Sequence, residues 1–329
     1  MNILYILDNN FVPQVVAGIC SVCENNKRVR NICFYIMSLH ISEENEKKLE
    51  EFVSGYSDEN VSRRVVFIEL DEIESYFNYQ IDTEGWNPIV LARLLIDRFL
   101  PKTVRRIIYL DGDTIVRRSL VKLWTTDMGD CSVGAAIEPT CSHKRKESLG
   151  LKGMPYYNAG ILLIDMDNWR KNQTGEELIR YYGDNGGHLF ANDQDCINGA
   201  LKGRICTISP TYNYHNTYDI YRYGFYGKYM DYPFMSREEL GRIRRNPVII
   251  HFLGEDRPWR KGNTHRFGKE YLMYLKRTPW KDTPMETGWE RYFVCWKIFN
   301  ALMKPFPMLR CYIINRLMLR MLKNKHKNS

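Results

Sequence analysis

The chain has 329 residues, of which 44% are hydrophobic and 26% charged, which suits one large α/β domain with an appendage or two modest domains. These ordinary fractions exclude a disordered, collagen-like or coiled-coil protein. No stretch approaches about eighteen uninterrupted apolar residues, so a membrane-spanning helix is not expected. The opening residues MNILYILDNN lack a basic region and a long apolar run, so no signal peptide is expected.

The net charge of +8 is concentrated at the C-terminal end. Residues 291–329 contain nine of the 47 Lys and Arg residues and no Asp or Glu, which leaves 38 basic against 39 acidic residues in 1–290. Basicity confined to a tail does not indicate a general nucleic-acid surface, so no nucleic-acid partner is expected.

Nine cysteines are an odd number, and with no export signal they favour reduced thiols over a disulfide framework. Cys20 and Cys23 form a CxxC in the first predicted helix, and no second pair follows at zinc spacing. We expect both to pack in the core, with redox or metal chemistry as the alternative.

Apolar runs bounded by turn residues predict strands, and helical segments separate them. The predicted strands are residues 2–7, 32–37, 65–70, 106–110, 160–166 and 248–252. The predicted helices are residues 12–25, a charged helix capped by Ser42, residues 90–99 and residues 176–182. This alternation predicts an α/β fold with a mostly parallel sheet, whose function collects beyond the carboxyl ends of the strands. Asp8 and Asp111 lie at such ends.

Composition also predicts the domain organisation. Residues 1–277 should form the catalytic domain, and residues 278–288, rich in Pro, Thr and Gly, should form a linker. Residues 289–329 should form a basic, aromatic-rich helical tail.

The strongest local motif is Tyr109-Leu110-Asp111-Gly112-Asp113, in which the two carboxylates directly follow an apolar strand. Two carboxylates separated by a glycine suit Mn²⁺ or Mg²⁺ shared with phosphates, because these ions prefer oxygen ligands. A solvated turn is the alternative, since this is also a good turn sequence. His251 follows another apolar strand and is either a packed residue or a nitrogen ligand for the same ion.

Three further features fit the binding of a sugar diphosphate. Gly254 and Arg257 follow His251, and a glycine with a cation near a metal suggests a pyrophosphate clamp. The segments 156–160 and 192–195 carry amide side chains, which offer sugar hydroxyls both donors and acceptors. Turn and helix-cap chemistry would explain either segment by itself.

Six segments in this order resemble the retaining family 8 glycosyltransferases, which include bacterial lipooligosaccharide galactosyltransferases and glycogenin. They are Asp8-Asn9-Asn10, Ala92-Arg93-Leu94, Tyr109 to Asp113, Tyr157-Asn158-Ala159-Gly160, Asp193-Gln194-Asp195, and His251 with Gly254, Arg257, Pro258 and Trp259. The resemblance covers residues 1 to about 262. It implies a GT-A type, Rossmann-like nucleotide-sugar-binding fold, a UDP-sugar donor and Mn²⁺, with Mg²⁺ as the alternative.

The resemblance also implies roles for single residues. Asp111, Asp113 and His251 would hold the metal. The donor would be bound by Asp8, Asn10, Arg93, Asp111, Gly112, Glu138, Gly254 and Arg257. The transferred sugar would be surrounded by the catalytic candidates Asn158, Asp193 and Gln194. Two positions depart from the family pattern, because Arg257 stands in place of a phosphate-binding lysine and Glu138 in place of a common aspartate.

The implied reaction moves a galactose or glucose from UDP to a glycan or glycolipid acceptor of cell-surface polysaccharide or lipopolysaccharide type, with retention at the anomeric carbon. Gln194 is a poor nucleophile, which favours same-face attack over a covalent intermediate without excluding it. The alternatives are a glycogenin-like self-glucosylating primer, another metal-dependent nucleotide enzyme and a non-catalytic binding protein.

Three weaker features concern the acceptor and the membrane. Eight tyrosines lie between residues 211 and 232, and they either stack on sugars or form a structural loop. The basic stretch 143–146 should be a solvated loop, with an acceptor-phosphate contact as the alternative. In the tail, Arg316, Arg320 and Lys323 recur at helical spacing among apolar residues, which predicts peripheral contact with an anionic membrane at its cytoplasmic face. The alternatives are packing on the catalytic domain and a helix that is ordered by a partner.

Overall fold

A computed structural model describes the backbone of residues 1–325 and the side chains of residues 1–317. The strands are β1 (Asn2–Asp8), β2 (Asn31–Leu39), β3 (Ser62–Glu69), β4 (Arg106–Leu110), β5 (Thr114–Val116), β6 (Val133–Ile137), β7 (Tyr157–Asp165), β8 (Ile205–Thr207) and β9 (Ile249–His251). The helices up to the middle of the chain are α1 (Val12–Asn25), α2 (Glu43–Ser54), α3 (Ile96–Phe99), α4 (Val121–Trp124), α5 (His143–Ser148), α6 (Met166–Lys171) and α7 (Thr174–Asp184).

The later helices are α8 (Asn192–Ala200), α9 (Thr217–Ile220), α10 (Tyr223–Tyr229), α11 (Arg237–Arg245), α12 (Gly268–Leu275), α13 (Glu290–Met303) and α14 (Pro307–Lys325). Short 3₁₀ segments lie at Asn9–Phe11, Ile73–Tyr76, Pro88–Leu95 and Pro210–Tyr212.

The central sheet has seven strands in the order β3-β2-β1-β4-β7-β6-β8. β7 runs antiparallel to both of its neighbours, and the other pairings are parallel. β5 and β9 form a separate antiparallel pair. The predicted α/β fold with a mostly parallel sheet is therefore confirmed.

Both faces of the sheet are buried, which explains why its strands are continuously apolar rather than alternating. On β1, Ile3, Tyr5 and Leu7 belong to the core cluster that includes α1. Leu4 points to the opposite cluster, which includes the 3₁₀ segment Pro88–Leu95. The two clusters fix β1 and β4 at the centre of the sheet. Asp8 lies at the carboxyl end of β1, and Asp111 directly follows β4.

The predicted element boundaries are close to the observed ones, with one difference in type. Ser42 caps α2 by accepting a hydrogen bond from the Asn45 N–H, as predicted. Residues 90–99 do not form one α-helix, because Pro88–Leu95 winds as a 3₁₀ segment before α3. Six of its eight side chains are buried, so tertiary packing overrides the local helical preference.

The cysteines behave as expected at one site and differently at another. Cys20 and Cys23 are buried in α1, where burial raises the pKa of the Cys23 thiol to about 12. The expectation of reduced thiols is wrong for Cys131 and Cys206, which form a disulfide. Cys206 lies on β8, beside the start of β6, so pairing of these strands brings the two cysteines together. The other seven cysteines are free.

The C-terminal segments pack against the catalytic part of the chain. In the stretch predicted to be a linker, Trp280 is buried and Glu286 accepts hydrogen bonds from Trp259 and Arg260 at 2.9 Å. From α14, the buried Arg310 donates to the Tyr221 hydroxyl at 2.7 Å and also binds Asn300 of α13. Within the described residues, none of the helices has the length and hydropathy needed to cross a membrane.

Candidate functional site

Two strand ends bring three candidate metal ligands together. Asp111 and Asp113 follow β4, and β9 ends at His251, which pairs with Thr114 of β5. The Nε2 atom of His251 lies 3.2 Å from Asp113 Oδ1 and 3.5 Å from Asp111 Oδ2. One ligand atom from each residue lies within 4.8 Å of the other two. Two carboxylates and an imidazole around one point form a donor set that suits a divalent cation. We call these three residues the metal cluster.

The electrostatics of this cluster support its use as a cation site. Burial opposes ionisation of Asp113, but His251, Arg257 and a backbone hydrogen bond together lower the pKa of the carboxyl group. Burial opposes protonation of His251, and the facing Asp113 outweighs it, so the pKa of the imidazole is raised. The Asp113 shift reflects its cationic neighbours, and the His251 shift reflects the facing carboxylates, whose negative charge a divalent cation would neutralise.

Asn213 fixes the orientation of His251, and sequence reasoning missed this residue. The Nδ1 of His251 lies 2.9 Å from Asn213 Oδ1, which leaves Nε2 facing the carboxylates. Asn213 also donates through Nδ2 to Asn158 Oδ1 at 2.8 Å. Little in the sequence indicates this role, because Asn213 lies within a tyrosine-rich stretch for which the predictions were stacking on sugars or a structural loop.

Arg93 lies beside the cluster and bridges two acidic residues. Its guanidinium donates to Asp111 Oδ1 at 3.0 Å, to the Tyr109 hydroxyl at 2.6 Å and to the Ala159 carbonyl at 2.9 Å. It also lies 3.0 Å from Asp193 Oδ2. Burial raises the pKa of Asp193 to about 6 even though Arg93 opposes the rise. Arg93 therefore joins the metal cluster to the segment predicted to bind the sugar.

Three further predicted residues converge beside β7. Asn158 donates to Glu138 Oε2 at 3.3 Å, and its own Oδ1 accepts from the Gly160 N–H at 2.9 Å. Gln194, at the start of α8, accepts from the Ala159 N–H at 3.0 Å through Oε1. The amide and carboxylate groups predicted to surround the sugar are thus brought together by the antiparallel strand and the following helix.

The predicted nucleotide end lies along the 3₁₀ turn after β1. Asp8 accepts hydrogen bonds from the Phe11 N–H at 3.2 Å and from Asn87 Nδ2 at 3.1 Å, whereas Asn10 is exposed. Phe11 links this turn to the metal cluster, because a β-carbon on Gly112 would lie 2.6 Å from its ring.

The same ring also connects the turn to the predicted phosphate clamp. The guanidinium of Arg257 lies 5.9 Å from the centroid of Phe11 and 5.6 Å from that of Trp259. Its buried Nε has no hydrogen-bond partner among the described residues. Gly254 has φ of +66°, which favours glycine in the loop between His251 and this cation.

Two interpretations of the region around the site are settled by burial. The stretch 143–146 is not a solvated loop, because it lies in α5, where Lys146 is buried and Arg145 is partly buried. Lys146 pairs with Asp231 and Arg145 with Asp195. Of the tyrosines between residues 211 and 232, Tyr214, Tyr218 and Tyr226 are fully buried. These three are structural.

Comparison with known proteins gives consistent results. The family model described as glycosyl transferase family 8 matches residues 2–262. General stress protein A of Bacillus subtilis is 26% identical over 286 residues, covering 85% of this chain and 94% of that protein. The lipopolysaccharide 1,2-glucosyltransferase of Escherichia coli is 23% identical over 288 residues, covering 86% of this chain and 79% of that protein.

A solved structure shows the same fold. The galactosyltransferase LgtC, crystallised with donor and acceptor sugar analogues, superimposes with a TM-score of 0.68 at 23% identity. The match covers 85% of this chain and 96% of LgtC, which identifies the architecture as the GT-A type expected from the sequence. With a family model that matches most of its length, this chain belongs to glycosyl transferase family 8.

Proposed function

We propose that this protein is a retaining hexosyltransferase that uses a UDP-sugar and Mn²⁺ to transfer galactose or glucose to a glycan or lipid-linked saccharide. The observation that carries the proposal is the cluster of Asp111, Asp113 and His251, with Gln194 and Asn158 beside it. Relatives named as lipopolysaccharide glucosyl- and galactosyltransferases support an acceptor in cell-surface polysaccharide synthesis.

The metal part of the proposal follows from the donor set. Asp111, Asp113 and His251 would hold Mn²⁺, or Mg²⁺ as the alternative, and the ion would supply Lewis-acid stabilisation of the leaving diphosphate. Arg257 adds a fixed positive charge to the same end of the site. The guanidinium lies within cation–π distance of Phe11 and Trp259, and its planar fork can donate two parallel hydrogen bonds to phosphate oxygens.

The organic parts of the donor are assigned from the two ends of the site. Asp8 and Asn10 would contact the uracil and ribose, and Gly112 and Gly254 would let the backbone approach the diphosphate. Arg93 contributes indirectly, because its guanidinium is already bonded to Asp111, Tyr109 and Ala159. At the other end, Glu138, Asn158 and Asp193 would bind the hydroxyl groups of the transferred sugar.

Gln194 would stabilise the positive charge that develops at the anomeric carbon rather than form a bond to it. An amide oxygen is a weak nucleophile, and this one already accepts a hydrogen bond from the Ala159 N–H. We therefore propose that the acceptor hydroxyl attacks from the face that the diphosphate leaves, while a donor phosphate oxygen takes the hydroxyl proton. A sugar trapped covalently on Gln194 would contradict this route.

We also propose that the tail holds the enzyme at the cytoplasmic face of an anionic membrane. On α13, Val294, Ile298 and Leu302 repeat every four residues and are all exposed. Lys297 lies between Val294 and Ile298, Lys304 follows Leu302, and both are exposed, so this segment carries both apolar and cationic groups. Such a surface suits interfacial binding, where a lipid-linked acceptor would be found.

The proposed activity can be tested with purified protein and a panel of nucleotide sugars. In Mn²⁺, UDP-galactose or UDP-glucose should be hydrolysed slowly, and UDP should bind more tightly than GDP or ADP by calorimetry. Hydrolysis of nucleotides that carry no hexose on the phosphate would instead favour another nucleotide enzyme. A mass increase of the protein with UDP-glucose would favour a self-glucosylating primer.

A further inference from the structure

Gln194 is the end of a hydrogen-bonded chain that reaches away from the metal cluster. Its Nε2 donates to the Tyr156 hydroxyl at 3.0 Å, and that hydroxyl donates to Asp195 Oδ1 at 2.7 Å. Arg145 donates to the same hydroxyl at 2.5 Å and to Asp195 Oδ1 through Nε at 2.8 Å. We call Arg145, Tyr156, Gln194 and Asp195 the Tyr156 network.

Burial makes the Tyr156 network rigid. Tyr156 and Asp195 are buried, and Arg145 is enclosed between the rings of Tyr156 and Phe190, at 4.9 and 4.7 Å. The second oxygen of Asp195 accepts from the Ala191 N–H at 2.9 Å, so the carboxylate also fixes the start of α8. A charged pair at this depth is costly to break, because either partner alone would be a buried charge.

The network fixes which way the amide of Gln194 points. Its nitrogen end binds Tyr156, and its oxygen end binds the Ala159 N–H on β7. The Ala159 carbonyl in turn accepts from Arg93, which also binds Asp111. The carbonyl end of the amide is therefore held toward the strand that carries the metal-site contacts, and the nitrogen end is held away from it.

We propose that Tyr156, held by Arg145, is a positioning residue that orients the amide of Gln194 for glycosyl transfer. The inference rests on the proposed function for its catalytic consequence, while the orientation itself can be measured without turnover. Tyr156 acts through Gln194 and not by contact with the sugar.

The first test removes only the hydroxyl group, with Tyr156→Phe. Turnover should fall roughly tenfold, the effect of about one hydrogen bond in the transition state, while the donor KM changes less than about twofold. Tyr226→Phe is the matched control, because Tyr226 is equally buried and its hydroxyl donates to the Thr217 carbonyl. Arg145→Lys should retain more activity than Arg145→Met, because it keeps the buried cation opposite Asp195. Equal losses in turnover for Tyr156→Phe and Tyr226→Phe would overturn the proposal.

A double-mutant cycle separates positioning from a general structural effect. If Tyr156 acts through Gln194, then Tyr156→Phe should have almost no further effect on turnover in a Gln194→Ala background. If the two losses instead multiply, Tyr156 contributes independently of Gln194 and the inference is wrong.

Amide NMR measures the orientation without any activity. The chain has four glutamines, so selective ¹⁵N-glutamine labelling gives few side-chain signals, and the Gln194 signal is assigned by its loss in Gln194→Ala. Tyr156→Phe should shift that amide signal, and Tyr226→Phe should not. If the wild type turns over no UDP-sugar but the signal shifts, the proposed function fails while the orientation stands. An unshifted signal would refute the positioning role whatever the activity.

Discussion

Gly160 and His251 are so close that no side chain fits between them. A β-carbon on Gly160 would lie 2.1 Å from Cε1 of His251 and 2.7 Å from Asp111 Oδ2. Separations below about 3 Å cannot be relieved without moving the imidazole or the carboxylate. The glycine is therefore required by the geometry of the metal cluster and not by its own backbone conformation.

Replacing Gly160 by Ala should abolish metal binding while the fold is retained. The added methyl group would displace His251 from the two carboxylates, so the rise in melting temperature produced by Mn²⁺ with UDP should disappear. Gly224→Ala is the control, because a β-carbon there meets no atom within 4 Å. A Gly160→Ala protein that still responds to Mn²⁺ like the wild type would show that these residues do not form the site.

Asp113→Asn tests the same cluster by charge instead of by shape. The substitution preserves volume and removes one of two carboxylates, so Mn²⁺ affinity by calorimetry should fall. Turnover should fall by orders of magnitude, since metal stabilisation of a leaving group contributes on the order of several kcal/mol. Asp130→Asn, at an exposed position, should change neither quantity. Wild-type turnover in the presence of a chelator would contradict the assignment.

His215 should make the protein sensitive to acid. The ring is 1% exposed, and its nitrogens have no hydrogen-bond partner among the described residues. Burial lowers the pKa of His215 from 6.5 to about 4, although Glu138, 3.6 Å away, opposes the shift. The pKa of His215 is lower in the folded state than in the unfolded state. The stability contributed by the neutral buried ring is therefore fully present above pH 6.5 and is lost as pH falls toward 4.

Urea unfolding at pH 7 and pH 4.5 measures this contribution. The wild type should lose about 2 to 3 kcal/mol of unfolding free energy through His215 over that interval. His215→Phe cannot take up the proton, so its loss should be smaller by about that amount. His40→Asn, which replaces an exposed histidine, should follow the wild type. Identical pH dependence in His215→Phe and the wild type would exclude this role.

The membrane proposal is best tested by surface substitutions, because Arg310 ties α14 to Tyr221 and truncation would expose buried groups. Replacing Val294, Ile298 and Leu302 by Ser should abolish co-sedimentation with anionic vesicles at all salt concentrations. Slow UDP-sugar hydrolysis should be unchanged, since these side chains are exposed and Leu302 is 68% exposed.

Replacing Lys297 and Lys304 by Gln separates charge from apolar contact. Vesicle binding should weaken at low salt and approach the wild-type value at high salt, because the Debye length is only about 8 Å at physiological ionic strength. A wild-type protein that stays in solution with vesicles under all conditions would show that α13 serves another purpose. Arg320 and Lys323, which belong to the predicted cationic face, lie outside the described side chains.

The sequence alone predicted six of the nine strands in the described residues, the helices α1, α2 and α7, and the three residues of the metal cluster. Asp8 and Asp111 could be placed at strand ends because apolar runs stop immediately before or at them. Parallel strands with intervening helices then bring such ends to one edge of a sheet. The type of helix at residues 88–95 could not be predicted in this way, because burial on nearly all sides decides it.

Tertiary structure alone decided how the site is held in place. Three features hold the site: the contact of Gly160 with His251, the bond from His251 to Asn213, and the chain from Arg145 to Gln194. Their contacts join residues 11 to 91 positions apart. The basic composition of the stretch 143–146 predicts a solvated loop, yet Arg145 is partly buried and donates to Asp195, a carboxylate fifty residues later. The local sequence pattern shows how polar each side chain is. The partner of a polar side chain is set by the packing of distant segments, and the periodicity of the sequence does not encode that packing.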